Sequence, residues 1–502
     1  MKKLLLLILL CLPMIGFGQQ TYVPDDNFEQ ALINLGYDTV LDDSVTTASI
    51  DTVTYLGVSS LNITDLTGIE AFSVLTYLEC DDNQITSLNV SYNTALITLS
   101  CPNNQLTSLD VSQNTALNSF GCSNNQLTSL DVFANTDLTY LNCWSNQLTS
   151  LDISQNTDLT YLFGGDNILT SIDVSANTAL IWLTLDYNQL TSLDVSNNTS
   201  LQHLDFYDSQ LTSIDLSQNT DLIELRCGIN LLSSLDLNQN TFLEHLYCQS
   251  NQLTNLDVSN NTNLYTLVCG SNQLTNLEVN DNTNLTKLSC SDNLLAILDV
   301  SNNTDLTELY CWVNQLIFLD VSSNSSLAYL NCEQNQITSL DVSNNTDLIF
   351  LDCSSGNNIS SLDVSNNIAL KTLYCGYNQL TSLDVSQNTS LTSLWCEDNQ
   401  LIRLDVRNGN NTNFTDFIST NNPNLFCVNV DDSIYSTNNW TSIDTWHYFS
   451  NNCNPLAIQE HSSKKELLKI TDILGRKTKG TKNELLFYIY NDGTVEKRIV
   501  IE

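Results

Sequence analysis

The sequence predicts a repeat solenoid, mainly β, and three observations predict it. From Leu75 to about Asn411 one unit, Leu-x-x-Leu-x-Cys-x-x-Asn-Gln-Leu-Thr-Ser-Leu-Asp-Val-Ser-x-Asn-Thr-x, recurs sixteen times with a period of 21 residues and one slip near Gly356. A period of that length marks stacked supersecondary units. No single unit can bury Leu138, Leu141, Leu148, Leu151 and Ile153, so these side chains leave water only against the same columns of the next coil. Inward Leu141 and Cys143 alternate with outward Tyr140 and Asn142, which is the two-residue period of a strand.

The elements follow in chain order. Residues 1–18 read as a secretory signal peptide: Lys2 and Lys3, the apolar run Leu4 to Leu10, and the small-residue exit Gly16-Phe17-Gly18 before Gln19. No other segment has the length and apolarity of a membrane span. Residues 19–74 form an N-terminal cap and an irregular first repeat. Asp26 followed by Glu29 resembles a capping box, and Phe28, Ala31, Leu32 and Leu35 share a helical face that Gly36 ends. This helix is expected to cover the bare apolar end of the stack.

Residues 75–411 are the sixteen coils. The strand stretches line up as one parallel sheet, the cluster Leu148, Leu151 and Ile153 returns along the opposite wall, and Ser154-Gln155-Asn156-Thr157 closes a turn. At about 4.8 Å per coil the stack would be a rod of roughly 75–80 Å. Residues 412–453 are a C-terminal cap with a strand-like Leu425-Phe426-Cys427-Val428 and the aromatic residues Trp440, Trp446, Tyr448 and Phe449. Cys427 and Cys453 stand outside the repeat register and bracket this cap, and a disulfide between them is expected in an exported chain. Residues 454–463 are a linker. In the tail, 464–502, composition changes: it holds nine of the sixteen Lys and Arg residues, and Leu485 to Tyr490 and Val495 to Ile501 flank a hairpin signal at Asn491-Asp492-Gly493.

The motif Leu-x-x-Leu-x-Cys-x-x-Asn-x-Leu resembles the leucine-rich repeat, in a short bacterial variety similar to internalin-like proteins. That resemblance implies a right-handed coil whose motif Asn sits inside the turn and bonds the backbone of neighbouring coils. The matching column runs from Asn83 to Asn399, with Asn104, Asn125, Asn146, Asn251, Asn272, Asn335 and Asn378 among its members and Ser209 its one break. Leu468 to Arg476, then Phe487-Tyr488-Ile489-Tyr490 and Lys497-Arg498, resemble the C-terminal sorting signal of the type IX secretion system. This implies engagement of that secretion machinery and passage through the periplasm to the outer cell surface or beyond. The alternative is a small hairpin packed on the solenoid end.

Two further columns need a physical reading. Thirteen cysteines, from Cys80 to Cys396, share one inward column with Gly164, Leu185 and Phe206. A place that accepts Leu or Phe is a packing position, and parallel side chains do not converge on a metal. An acidic column, including Asp110, Asp131 and Asp152, stacks one carboxylate per coil. Neighbours about 4.8 Å apart repel by roughly 1 kcal/mol in water. Turn amides and hydroxyls are expected to offset this, and a weak calcium ladder on Asp110, Asp131 and Asp152 is the alternative.

A net charge of −40 excludes nucleic acid and anionic membrane surfaces as partners. Phosphate loops and His-Glu-x-x-His motifs are absent from the sequence, and a periodic ladder offers no singular pocket, so neither enzyme nor cofactor is expected. The expected work is binding of a protein at the cell surface, or adhesion, through outward positions of the sheet. A glycan-binding surface and a structural spacer are the alternatives. Two aromatic groups mark candidate sites: Tyr140, Trp144, Tyr161, Phe163, Trp182, Tyr187, His203 and Tyr207 on successive coils, then Tyr310, Trp312, Tyr329, Phe350, Tyr374, Tyr377 and Trp395. Cross-strand ring pairs that only stabilise the sheet would look the same in sequence.

Overall fold

A computed structural model describes residues 18–453, 467–471, 476–479, 485–490 and 494–499. The expected signal sequence up to Phe17 and the linker lie outside these residues. Each coil contributes a strand of three residues, such as Tyr140–Asn142, whose middle leucine is buried. The strands pair in parallel and in register, Leu141 opposite Leu162 and Leu162 opposite Leu183. The resulting open sheet runs from Tyr55–Gly57 to Asp416–Ile418.

Inside each coil the apolar columns are dry. Leu138, Leu141, Cys143, Leu148 and Ile153 have no exposed surface and Leu151 is also buried; each such side chain gains about 1.5–3 kcal/mol on leaving water. The cysteine column is part of this wall: all thirteen thiols are free and buried. Where Gly164 replaces cysteine, Leu185 of the next coil fills its place, since a Cβ on Gly164 would meet Leu185 Cδ2 at 3.3 Å.

Two asparagine ladders carry the turns. Asn146 Nδ2 donates to the carbonyls of Cys122, Cys143 and Trp144, and its Oδ1 accepts from Leu127 N at 3.0 Å. One side chain thus satisfies backbone groups of two coils. The residue before it adopts left-handed backbone, as at Ser145 (φ 53), Tyr187 (φ 51) and Ile229 (φ 50). At the slip, Ser355 and Gly356 are both left-handed and absorb the extra residue in that turn. A second ladder occupies the place read as an ordinary polar turn: Asn156 is fully buried and donates to the carbonyls of Val132 and Asn135.

The N-terminal lid differs from expectation. The helix Asp26–Asn34 is capped by Asp25, whose Oδ1 accepts from Asn27 N and Phe28 N, not by Asp26. Glu29 does not turn back to the cap. It is fully buried and accepts from the amides of Asp42, Asp43 and Ser44. Asp25 Oδ2 reaches the first coil through Thr64 and Asp65; burial works to raise its carboxyl, but these bonds and that of Phe28 hold it below the usual range. Phe28, Ala31 and Leu32 face the core, whereas Leu35 is exposed because the helix has ended. Gln20–Tyr22 and Ser44–Thr46 add an antiparallel pair beside it.

At the other end the coil persists beyond the last regular repeat. Asp416–Ile418 extends the main sheet, and Asn422 repeats the ladder by bonding Cys396, Ser419 and Thr420 carbonyls. On the opposite wall Ser382–Asp384, Arg403–Asp405, Cys427–Asn429 and Tyr448–Ser450 form a second parallel sheet. Trp440 stacks on Phe417, with centroids 4.2 Å apart, and seals the end with Phe449. Trp446 and Tyr448 stay exposed. Cys427 and Cys453 form a disulfide, Cα to Cα 5.8 Å. In the tail, Leu485–Tyr490 pairs antiparallel with Leu467–Thr471 and with Val495–Ile499. The turn expected at Asn491-Asp492-Gly493 lies outside the described residues.

Candidate ligand-binding face

In-register pairing turns single outward residues into rows. The first strand position runs Tyr140, Tyr161, Trp182, His203, Glu224 and His245. The third runs Asn142, Phe163, Thr184, Asp205, Arg226 and Tyr247. Two residues further along each coil lie Trp144, Gly165, Asp186 and Tyr207.

Five rings of the first aromatic group, Tyr140, Tyr161, Phe163, Trp182 and His203, form one connected array. Ring centroids are 5.6 Å apart for Tyr140 and Phe163, 6.1 Å for Phe163 and Trp182, and 3.9 Å for Trp182 and His203. Tyr187 and Tyr207 meet edge-on at 5.7 Å on the neighbouring rows. Tyr161 and Tyr187 are exposed, while Trp144, Phe163, Trp182, His203 and Tyr207 are half-buried. The rings therefore pack across strands and still present faces to solvent.

Beyond the rings the rows turn charged, which the aromatic pattern did not disclose. His203 Nδ1 lies 3.2 Å from Glu224 Oε2, Arg226 Nε donates to Glu224 Oε1 at 2.6 Å, and the Arg226 guanidinium sits 4.8 Å over Tyr247. Burial works against the Glu224 carboxylate, but Arg226 and then His203 hold it below the usual range. Asp205 is pushed up to about 6 by burial, with Asp186 adding to the shift, and Asp186 is raised by burial as well.

These side chains enclose a cleft of about 580 Å³ lined by Trp144, Phe163, Trp182, Asp186, Asp205 and Arg226, among others. Gly165 lets two of these side chains pack closely: a Cβ there would overlap Asp186 Oδ1 and come within 2.8 Å of Trp144 Cδ1. A smaller hollow of about 250 Å³ shares Asp186, Asp205 and Arg226 and is walled by Tyr187, Tyr207 and Tyr247.

The second group divides. Tyr329, Phe350, Tyr374 and Trp395 are chained at 6.5, 5.8 and 4.3 Å between centroids. Tyr310 instead lies 5.6 Å from the Lys287 ammonium, which pairs with Glu308 at 2.9 Å. Trp312 is half-buried outside that chain, and Tyr377 is exposed on a left-handed turn.

The acidic column belongs to the turns, away from these rows. Asp110 Oδ1 accepts from Ser112 N, Asp131 from Phe133 N and Asp152 from Ser154 N. The Ser112 and Ser154 amides, then their hydroxyls, hold Asp110 and Asp152 below the usual carboxylate range. Among the described residues no group of three or more His, Cys, Asp or Glu side chains is placed to share a metal ion, and no helix is long and apolar enough to cross a membrane.

Comparison with known proteins adds three solved structures. The functional domain of InlJ from Listeria monocytogenes, which includes a cysteine ladder, is 31% identical over 97% of this chain and 99% of its own, with a TM-score of 0.59. A leucine-rich repeat protein of Leptospira interrogans is 25% identical over 70% of this chain and 92% of its own, with a TM-score of 0.58. YopM from Yersinia enterocolitica, at 22% identity, 80% and 92% coverage and a TM-score of 0.60, shares the fold. No protein-family model and no curated protein sequence matches the chain.

Proposed function

The chain belongs to the internalin-like leucine-rich repeat proteins of bacteria, and on that premise we propose that it binds another protein, as a secreted or surface adhesion module, through the outward strand rows of coils Tyr140 to Arg226. One observation carries the reading: five successive coils abandon the small polar residues of the repeat for a connected array of rings, carboxylates and Arg226 around a cleft of about 580 Å³. Rigid half-exposed aromatic side chains supply contact area at low entropic cost.

Replacing Tyr140, Tyr161 and Trp182 together by alanine should abolish capture of the partner in crosslinked pull-downs from intact cells while moving the melting midpoint little. Retained capture, or loss of folding, would end the reading. The second reading is a glycan, favoured by rings and carboxylates on one face; glycan-array binding without protein capture would select it, and silence in both would leave the spacer. We also propose export by the type IX route, supported by the tail's likeness to its sorting signals. Deletion of residues 464–502 should leave the protein in the periplasm. Weak calcium binding on Asp110, Asp131 and Asp152 is a separate proposal, and equal thermal midpoints in calcium and in chelator would remove it.

A further inference from the structure

We propose that the cleft lined by Asp186, Asp205 and Arg226 and walled by Trp144, Phe163 and Trp182 seats a cationic side chain, arginine or lysine, presented by a partner polypeptide. The proposal rests on the reading of this face as a protein-binding surface and names what the surface takes.

The face already holds cations of its own by one device, a carboxylate beside an aromatic ring. Arg226 bonds Glu224 and lies over Tyr247; Lys287 bonds Glu308 and lies by Tyr310. A cation over a ring face is drawn to its negative π-cloud, more strongly where water is excluded. In the cleft the carboxylates and rings recur, and the one cationic side chain that lines it, Arg226, is bonded to Glu224. Asp186 turns Oδ1 inward over Gly165, where it is enclosed, and the Trp144 indole acts to lower its carboxyl; Asp205 Oδ1 accepts the Tyr207 amide. Arg226 is near enough to favour both carboxylates, but its hydrogen bond goes to Glu224.

Geometry leaves room for a further group. The cleft, of about 580 Å³, is lined by both carboxylates and by the Trp144, Phe163 and Trp182 rings; Gly165 lies beneath it, where Asp186 packs against its Cα. The chain itself is short of cations, with a net charge of −40. A partner's guanidinium or ammonium would meet the two carboxylates and slide its alkyl stem along the rings. A neutral sugar could stack on the rings but would leave the paired charges uncompensated.

The test is calorimetric titration of the full chain at pH 8 with acetyl-Gly-Arg-Gly-amide and with its neutral citrulline isostere. The arginine peptide should bind saturably and the citrulline peptide at least tenfold more weakly. Asp186→Asn with Asp205→Asn should weaken arginine binding tenfold or more with no fall in melting midpoint, because burial already favours the uncharged form of both groups. Asp110→Asn, on the turn column, should change nothing. Equal affinity for the two peptides, no binding of the arginine peptide, or undiminished binding in the double variant would overturn the proposal. So would a neutral oligosaccharide that binds through Asp186 and Asp205 where the arginine peptide does not. Should partner capture still depend on Tyr140, Tyr161 and Trp182 while the arginine peptide fails, the cation seat falls and the protein-binding face stands.

Discussion

Trp182 and His203, on successive coils, stack face to face with ring centroids 3.9 Å apart and planes 16° from parallel. His203 is fixed from the other side by Glu224, at 3.2 Å, so the stack links the aromatic part of the face to its charged part. A double-mutant cycle with Trp182→Ala and His203→Ala should therefore return a coupling of about 0.5–1.5 kcal/mol in stability. Additive effects would mean that the two rings are merely neighbours.

The two asparagine ladders should differ in what their loss costs. Asn146→Ala leaves the Leu127 amide unpaired and takes one of two bonds from the carbonyls of Cys122, Cys143 and Trp144; at about 1–3 kcal/mol for a buried group left unpaired, the cost should be roughly 1–3 kcal/mol. Asn156→Ala removes two bonds, and Asn156 Oδ1 already accepts none. Urea midpoints should fall further for Asn146→Ala than for Asn156→Ala, and the reverse order would show that the second ladder carries the turn.

The cysteine column should be chemically silent. Burial pushes Cys143 and Cys290 up to about 12 and raises the rest of the column as well, and the thiolate is the reactive form. Iodoacetamide at pH 8 should leave the column from Cys80 to Cys396 unmodified in the native chain and label it fully in denaturant. Rapid native labelling would contradict the packing role.

Asp205 gives the face a pH signature. Its carboxyl titrates at about 6 in the fold, against about 3.9 in an unfolded chain. The fold holds that proton more tightly, so the stability it contributes is present below about pH 4 and lost as pH rises through about 6. Asp205→Asn should raise the stability at pH 8 by an amount on the order of 1–3 kcal/mol, seen as a higher melting midpoint, and leave it unchanged at pH 3.5. A lower midpoint at pH 8 would mean that Arg226 stabilises Asp205 more than burial penalises it. Asp110 and Asp152 act in the opposite direction, since their lowered values favour the fold above the usual carboxylate range.

Much of the architecture was legible because stacking forces one chemistry into every coil. Leu141 and Cys143 recur because the core has one width, and Asn146 recurs because no other side chain donates to two coils' carbonyls while accepting one amide. Asn156 recurs as strictly, yet asparagine is so ordinary in turns that its burial was invisible. Asp25 was missed because its neighbour Asp26 fits the capping pattern as well, and only the bonds to Thr64 and Asp65 separate them. The rings of the face could be read singly, since an aromatic residue stands out at a Thr or Asn position. Asp186, Asp205, Glu224 and Arg226 could not, because each is an unremarkable surface residue until a 21-residue pitch sets it beside the others. Reading outward positions down the columns, coil by coil, would have revealed that run.

The most direct test of the account is photo-crosslinking on intact cells, with benzoylphenylalanine placed singly at Tyr161 on the strand rows and at Phe133 on a turn. Both side chains are exposed, at 39% and 59%, so neither replacement threatens the core. A partner should crosslink from position 161 and none from position 133. Crosslinking from 133 alone would place recognition on the turns and contradict this.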